Sequence, residues 1–294
     1  MILSQINLIA LSRIAEQAAL EAGKMIEEVI ASDPMRENLQ VEGKEAGSCK
    51  ATQVVTEVDF KSEKLILDIL KPTLKKYDLA LLTEESVDDK SRLEKDYFWC
   101  IDPLDGTLAF TQSLPWFSVS IALVSKKGIP KVGVIYDPST RIIYSAVYGV
   151  EAAKNNSPIV LNKSSDKSLL TIIAEESLIK DHRFREIKKQ LKLAGWQQIK
   201  IIEGYGAVIN ACQVLENSPA VYFKLPKEEQ GGGCFWDFAA TSCLFNQLLA
   251  PVTDFFGNPL ELNKKQDTYM NKKGVIYASD QSISNELITI IQSL

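Results

Sequence analysis

The segment Asp102-Pro103-Leu104-Asp105-Gly106-Thr107 is where this 294-residue chain concentrates groups able to do chemistry. Two carboxylates stand three residues apart, stiffened by a proline and followed by a glycine and a hydroxyl. The run follows Tyr97-Phe98-Trp99-Cys100-Ile101, an apolar stretch with the composition of a buried strand. Acids at the end of a strand lie where open α/β sheets bind ligands. Anionic groups so close repel each other unless a cation lies between them, and hard divalent ions such as Mg²⁺ prefer such oxygens. Gly106 lets a phosphate approach the backbone, and Thr107 can offer its hydroxyl to a water or a phosphate oxygen. The residue types and spacing point to a metal–phosphate site.

Plainer readings compete with that one. Asp-Pro and Asp-Gly pairs also form ordinary turns, so a strand-ending turn explains the same composition. An EF-hand calcium loop is excluded, because Leu104 stands at its third position and Ser113 at its twelfth. An aspartyl-nucleophile phosphatase pattern, Asp-x-Asp-x-Thr, is excluded because these acids are three apart. Three more acidic segments shift the balance. Val54-Val55-Thr56-Glu57-Val58-Asp59 and Leu81-Leu82-Thr83-Glu84-Glu85-Ser86 each end an apolar run in acids, and Trp236-Asp237 opens a small-residue helix. Singly, these are helix caps or solvated charges. All four in this order are hard to attribute to chance.

The elements that must position these residues alternate without repeats. Ile6, Ile9, Ile14, Ala18, Ala22, Ile26 and Val29 predict a helix over about 4–31. A loop rich in Gly, Lys and Glu is expected from Asp33 to about Lys50. A second helix is predicted over Lys61–Lys76, with Pro72 as a kink or break. Strands follow near 79–82, 97–101, 117–124, 131–136 and 142–147, several of them as an antiparallel set. Beyond Asn155-Asn156-Ser157-Pro158 the pattern becomes strand–helix–strand–helix, with strands at 172–174 and 199–202 around a basic helix from Phe184 to Ala194. The expected division is an N-terminal α+β subdomain, 1–157, carrying most of the acids, and a C-terminal α/β subdomain, 158–294, carrying Asp237.

Composition narrows the function classes. A net charge of −5 gives no basic footprint for nucleic acid or a membrane surface. The N-terminus lacks a basic leader and a membrane-spanning apolar run. Five cysteines without metal-like spacing suggest reduced thiols and a cytoplasmic location. The one histidine, His182, sits in a charged segment and reads as an exposed helix start, so histidine-dependent hydrolysis is not expected. No Gly-x-x-x-x-Gly-Lys loop is present, which argues against P-loop chemistry.

On Thr56–Asp59, Glu84–Ser86, Asp102–Thr107 and Trp236-Asp237 with Ala239-Ala240, the chain resembles the inositol monophosphatase-like superfamily of Mg²⁺-dependent, lithium-sensitive phosphatases. The resemblance extends through Phe117–Leu123 and Gly133–Pro138. It implies an α+β, layered α-β-α-β-α sandwich, with the metal site between the two halves. It implies one Mg²⁺ on Glu84, Asp102 and the Leu104 carbonyl, and a second on Asp102, Asp105 and Asp237; a third ion near Glu84 is the further option. Asp59 and Thr107, with Glu84, would serve the nucleophilic water, and the Gly106 and Thr107 amides would bind phosphate. The implied partner is a small phosphorylated metabolite, with a homodimer compatible.

The substrate is less legible. Leu108-Ala109-Phe110 matches neither inositol monophosphatases, which usually show a polar pair there, nor bisphosphate nucleotidases, which usually show Lys-Glu. Pro115-Trp116-Phe117 leans towards the inositol type. The acid expected seven residues before Asp237 is Gln230, so Glu228 or Glu229 is a candidate replacement, and Lys224 and Lys227 are the nearby cations. Three alternatives to an inositol-type enzyme stay open. They are a 3′(2′),5′-bisphosphate nucleotidase, a fructose bisphosphatase and a non-catalytic phosphate-binding regulator.

Overall fold

Local capping starts the two long N-terminal helices, as seen in a computed structural model that describes residues 2–37, 39, 41–43, 54–161 and 166–294. Ser4 and Asn7 form a reciprocal capping box at the start of α1 (Gln5–Ser32). β1 (Val41–Gly43) pairs antiparallel with β2 (Val54–Thr56), within a stretch that the sequence presents largely as loop. Residues 44–53, and with them Cys49, lie outside the described residues.

Thr56 and Asp59 make a second capping box, so α2 spans Glu57–Tyr77 and starts four residues earlier than its apolar spacing suggests. Pro72 does not break it. Pro72 and Asp68, whose carbonyl the proline leaves without a helical donor, both lie on the exposed face, where solvent can serve that carbonyl. On the buried face the Thr73 hydroxyl donates to the Leu70 carbonyl (2.6 Å) and accepts the Trp99 indole N–H (2.9 Å).

The first sheet contains β3 (Ala80–Thr83), β4 (Tyr97–Asp105), β5 (Ser118–Ser125), β6 (Pro130–Asp137), β7 (Ile142–Val147), β8 (Glu151–Lys154) and β9 (Ser157–Pro158) in chain order. Only β3 and β4 run parallel; the remaining neighbours are antiparallel. β4 does not stop at Ile101. It continues to Asp105 through a register shift against β5 between Asp102 and Asp105, because Pro103 has no N–H for the ladder. The short helix α3 (Thr107–Thr111) follows at once.

The second sheet has the order β11-β10-β12-β14-β13. β10 (Leu169–Ala174) is followed by α4 (Glu176–Ile179), α5 (His182–Leu193) and β11 (Gln198–Glu203). Then come α6 (Ala207–Glu216), β12 (Ala220–Lys224), α7 (Phe235–Gln247), β13 (Val252–Thr253), β14 (Val275–Ala278) and α8 (Gln281–Gln292).

Three apolar clusters fix the layers. α1 and α2 cover one face of the first sheet through Leu11, Ala18, Ile66, Trp99 and Val134. α6 and α7 fill the space between the sheets through Val208, Phe238, Ala240 and Tyr277. α5 and α8 cover the outer face of the second sheet through Ile187, Ile276 and Leu287. The result is the α-β-α-β-α sandwich expected from the resemblance. No helix among the described residues is long and apolar enough to cross a membrane.

Thr73→Val keeps the shape of a buried side chain but removes the hydroxyl that accepts from the buried Trp99 indole. The expected loss is about 1–3 kcal/mol of unfolding free energy. It would be read as a lower urea midpoint with an unchanged m-value.

Candidate metal and phosphate site

Hydrogen bonds hold the bulge that ends β4. The Pro103 carbonyl is held by the Ser62 hydroxyl of α2 (2.7 Å), and Asp102 Oδ1 accepts the Leu104 N–H (3.0 Å). Gly106 then takes φ +82°, and a Cβ there would sit 2.8 Å from the Trp116 carbonyl. Only glycine allows the chain to turn so sharply into α3.

Asp237 arrives from the other side, in the first turn of α7. Its Oδ2 accepts the Cys234 N–H, and Ser120 of β5 donates to the Trp236 carbonyl (3.2 Å), tying α7 to the first sheet. Carboxylate oxygens of Asp102, Asp105 and Asp237 lie within 4.8 Å of one another, the group of that kind found among the described residues. Glu84 faces the same space; its carboxyl hydrogen-bonds Asp102, and its charge is felt by Asp59 and Asp237.

Such crowding has a measurable electrostatic consequence. Burial, then Glu84, Asp105 and Asp237, holds Asp102 well above the usual carboxylate range. Burial and Asp237 do the same to Asp105. Burial, with Glu84, pushes Asp237 up to about 6. These acids resist ionisation together unless a cation shares their oxygens. The donor set fits a hard divalent ion.

Asp59 and Thr107 form a second unit beside the cluster. The Thr107 hydroxyl is placed 2.9 Å from Asp59 Oδ1 and 3.0 Å from the Leu104 carbonyl, either of which can take its single proton. Asp59 Oδ2 accepts from the Thr56 N–H (2.8 Å) and hydroxyl (2.6 Å). Burial pushes Asp59 up to about 6 against the pull of those hydrogen bonds.

The structure also supplies groups that the sequence did not single out. Glu63 of α2 accepts the Thr83 hydroxyl (2.6 Å), the Ser86 hydroxyl and the Glu85 N–H (3.1 Å), fixing the turn that carries Glu84. The Ala207 and Val208 amides of α6 donate to Asp105 Oδ1 (3.1 Å) and Oδ2 (2.9 Å), so a helix N-terminus faces that carboxylate. Gly206 permits the approach: a Cβ there would lie 2.5 Å from Asp105 Oδ2. Gly204-Tyr205-Gly206 before an apolar run was the available sequence signal.

The expected substrate segment divides. Lys224, at the end of β12, points inward and pairs with Glu175 (2.9 Å). Burial alone would lower its pKa, but Glu175, Asp237 and Asp105 raise it above the ordinary value. Lys227 donates its backbone N–H to the Asn271 carbonyl (2.9 Å), and the Glu228 and Glu229 carbonyls accept from the Asn271 amide. The Glu228 and Glu229 side chains are exposed. His182 opens α5 with its side chain 92% exposed, and the four described cysteines are free and buried.

Protons and a divalent cation compete for the same oxygens. The protonated acids contribute stability at low pH that is lost as pH rises from their ordinary range through about 6. Cation binding should offset that loss. Added Mg²⁺ should therefore raise the melting temperature clearly at pH 7.5 and little at pH 5; an equal rise at both values would contradict the coupling.

Known proteins resemble this chain in sequence and in fold. A family model described as the inositol monophosphatase family matches residues 8–294. A relative from Pasteurella multocida, named Nus factor SuhB, is 30% identical over 246 residues, covering 83% of this chain and 85% of its own. An inositol-1-monophosphatase from Synechocystis sp. is 39% identical over 123 residues, 41% of this chain and 42% of that one. The solved structure of an inositol monophosphatase from Anabaena superposes with a TM-score of 0.70 at 24% identity, covering 98% and 97% of the two chains. At that identity the superposition speaks for the fold alone, but the sequence matches speak for descent, and the chain belongs to the inositol monophosphatase family.

Proposed function

We propose that this protein is a Mg²⁺-dependent phosphatase that hydrolyses a phosphate monoester of a small polyol by direct attack of water. The observation that carries the reading is the Asp102–Asp105–Asp237 cluster beside the hydrogen-bonded Thr107–Asp59 unit. Glu84, Asp102, the Leu104 carbonyl, Asp105 and Asp237 would hold the ions. Bound Mg²⁺ supplies a water acidic enough to attack near neutral pH and neutralises phosphoryl oxygens.

The chain's own residues do the rest. Thr107 Oγ keeps its lone pairs toward the water while its proton goes to Asp59 Oδ1 or the Leu104 carbonyl. That arrangement orients the water and gives its proton a path through Thr107 Oγ to Asp59 Oδ1. The Gly106 and Thr107 amides, at the start of α3, would receive a phosphoryl oxygen. No covalent intermediate is required. The complete set of acids argues for an active enzyme over a non-catalytic binder.

Lys224 favours a second reading, a bisphosphate nucleotidase, because an inward cation suits a second phosphate. Its charge is already matched by Glu175, which supports the uncharged polyol leaving group instead. The deciding measurement is the kcat/KM ratio for inositol 1-phosphate against 3′-phosphoadenosine 5′-phosphate. A strong preference for the nucleotide would replace the first reading with the second.

Released phosphate should vanish on treatment with a chelator and return with Mg²⁺. Full turnover in metal-free buffer would end the metal-activated scheme. Asp102→Asn should lose metal binding and turnover together. Thr107→Ala should retain metal and slow turnover by about 10²–10⁴-fold, the usual worth of proton-transfer positioning. Calorimetric Mg²⁺ titration beside phosphate release separates the two variants, and equal metal loss in both would contradict this division of roles.

A further inference from the structure

One polar cluster in the site lies apart from the acids and from Thr107. Glu175 follows β10 directly and Lys224 ends β12, the parallel neighbour of β10, so the two strand ends present the side chains together. Their side chains are 19% and 18% exposed. The α6 helix joins the pair to the acids: its first amides, of Ala207 and Val208, donate to Asp105, and its Asn210 side chain donates to Glu175, which sets the pair at the edge of the phosphoryl site.

The hydrogen-bond inventory of the pair is uneven. Glu175 Oε1 accepts the Tyr222 hydroxyl (2.6 Å) and the Asn210 amide (3.3 Å), and Lys224 Nζ stands 2.9 Å from it as an ion pair. Oε2 accepts from Lys224 Nζ (3.1 Å), its one hydrogen bond among the described residues. A carboxylate oxygen can accept two hydrogen bonds and an ammonium can donate three. Among the described residues, Oε2 keeps one acceptor position and Lys224 keeps N–H donors beyond the one directed at Oε2. An acceptor and a donor therefore stand side by side, held rigid by Tyr222 and Asn210, with no net charge between them.

We infer that the Glu175–Lys224 pair recognises two neighbouring hydroxyls on the leaving group, one donating to Glu175 Oε2 and the other accepting from Lys224 Nζ. This assignment rests on the phosphatase reading above and names what selects its substrate. An adjacent donor and acceptor match a vicinal diol, whereas a second phosphate offers acceptors only and would meet the Glu175 carboxylate. Both residues are specificity determinants; neither is asked to move a proton.

The test compares inositol 1-phosphate with cyclohexyl phosphate, the same ring without hydroxyls, in the full chain with Mg²⁺. The parent should prefer the inositol ester. The ratio of the two kcat/KM values should fall about 10- to 100-fold in Glu175→Gln and in Lys224→Met, as expected for a lost hydrogen bond to a charged group. The ratio is independent of the fraction of protein correctly folded and of any shared change in metal affinity. A parent without preference, or a ratio held within about threefold in either variant, overturns the inference while the phosphatase reading stands. A parent inert toward both esters overturns that reading and this inference with it.

Discussion

Mutual repulsion among buried carboxylates is the constraint around which this molecule is arranged. Asp102 and Asp105 are 1% and 5% exposed, and Asp237 stands against them. Such charges are tolerated only when fixed dipoles, hydrogen bonds or a cation answer them. The fold provides the first two from several directions: the Leu104 amide for Asp102, the α6 amides for Asp105 and the Cys234 amide for Asp237. Each donor is backbone, so each is placed by secondary structure and not by a mobile side chain.

That requirement explains why the site lies between two sheets. Asp102 and Asp105 belong to the first sheet, the amides facing Asp105 belong to the helix layer between the sheets, and Lys224 belongs to the second sheet. α7 is apolar almost all round because it is packed on both sides, and it delivers Asp237 from its first turn. A single layer could bring acids together but could not also bring a helix N-terminus against them.

Most of the scaffold was legible in the chain because burial leaves a period. The spacing of Ile9, Ala18, Ala22 and Ile26 gave α1, and alternating apolar residues gave the antiparallel strands from Ser118 to Val147. The acids of the cluster were readable because each ends an apolar run. What escaped depended on contacts distant in sequence. Asp59 caps its own helix while also meeting Thr107, so α2 starts four residues before its apolar spacing does. β4 runs on through Asp105 because β5 lies beside it, a fact absent from the local residues. Glu175 stands 49 residues from its partner Lys224, and no spacing rule joins them.

The stretch from Leu225 to Gly233 is anchored by Asn271, which gathers the carbonyls of Lys227, Glu228 and Glu229, and by Arg183, which donates to the Pro226 carbonyl (3.2 Å). On one side β12 is locked into a sheet, and on the other α7 is locked into the core. Length and composition can therefore drift within this tether without disturbing the acids on either flank. The strap and the strand ends that carry Glu175 and Lys224 can thus change separately: an insertion between Leu225 and Gly232 would reshape the outer surface while leaving β10 and β12 as they are.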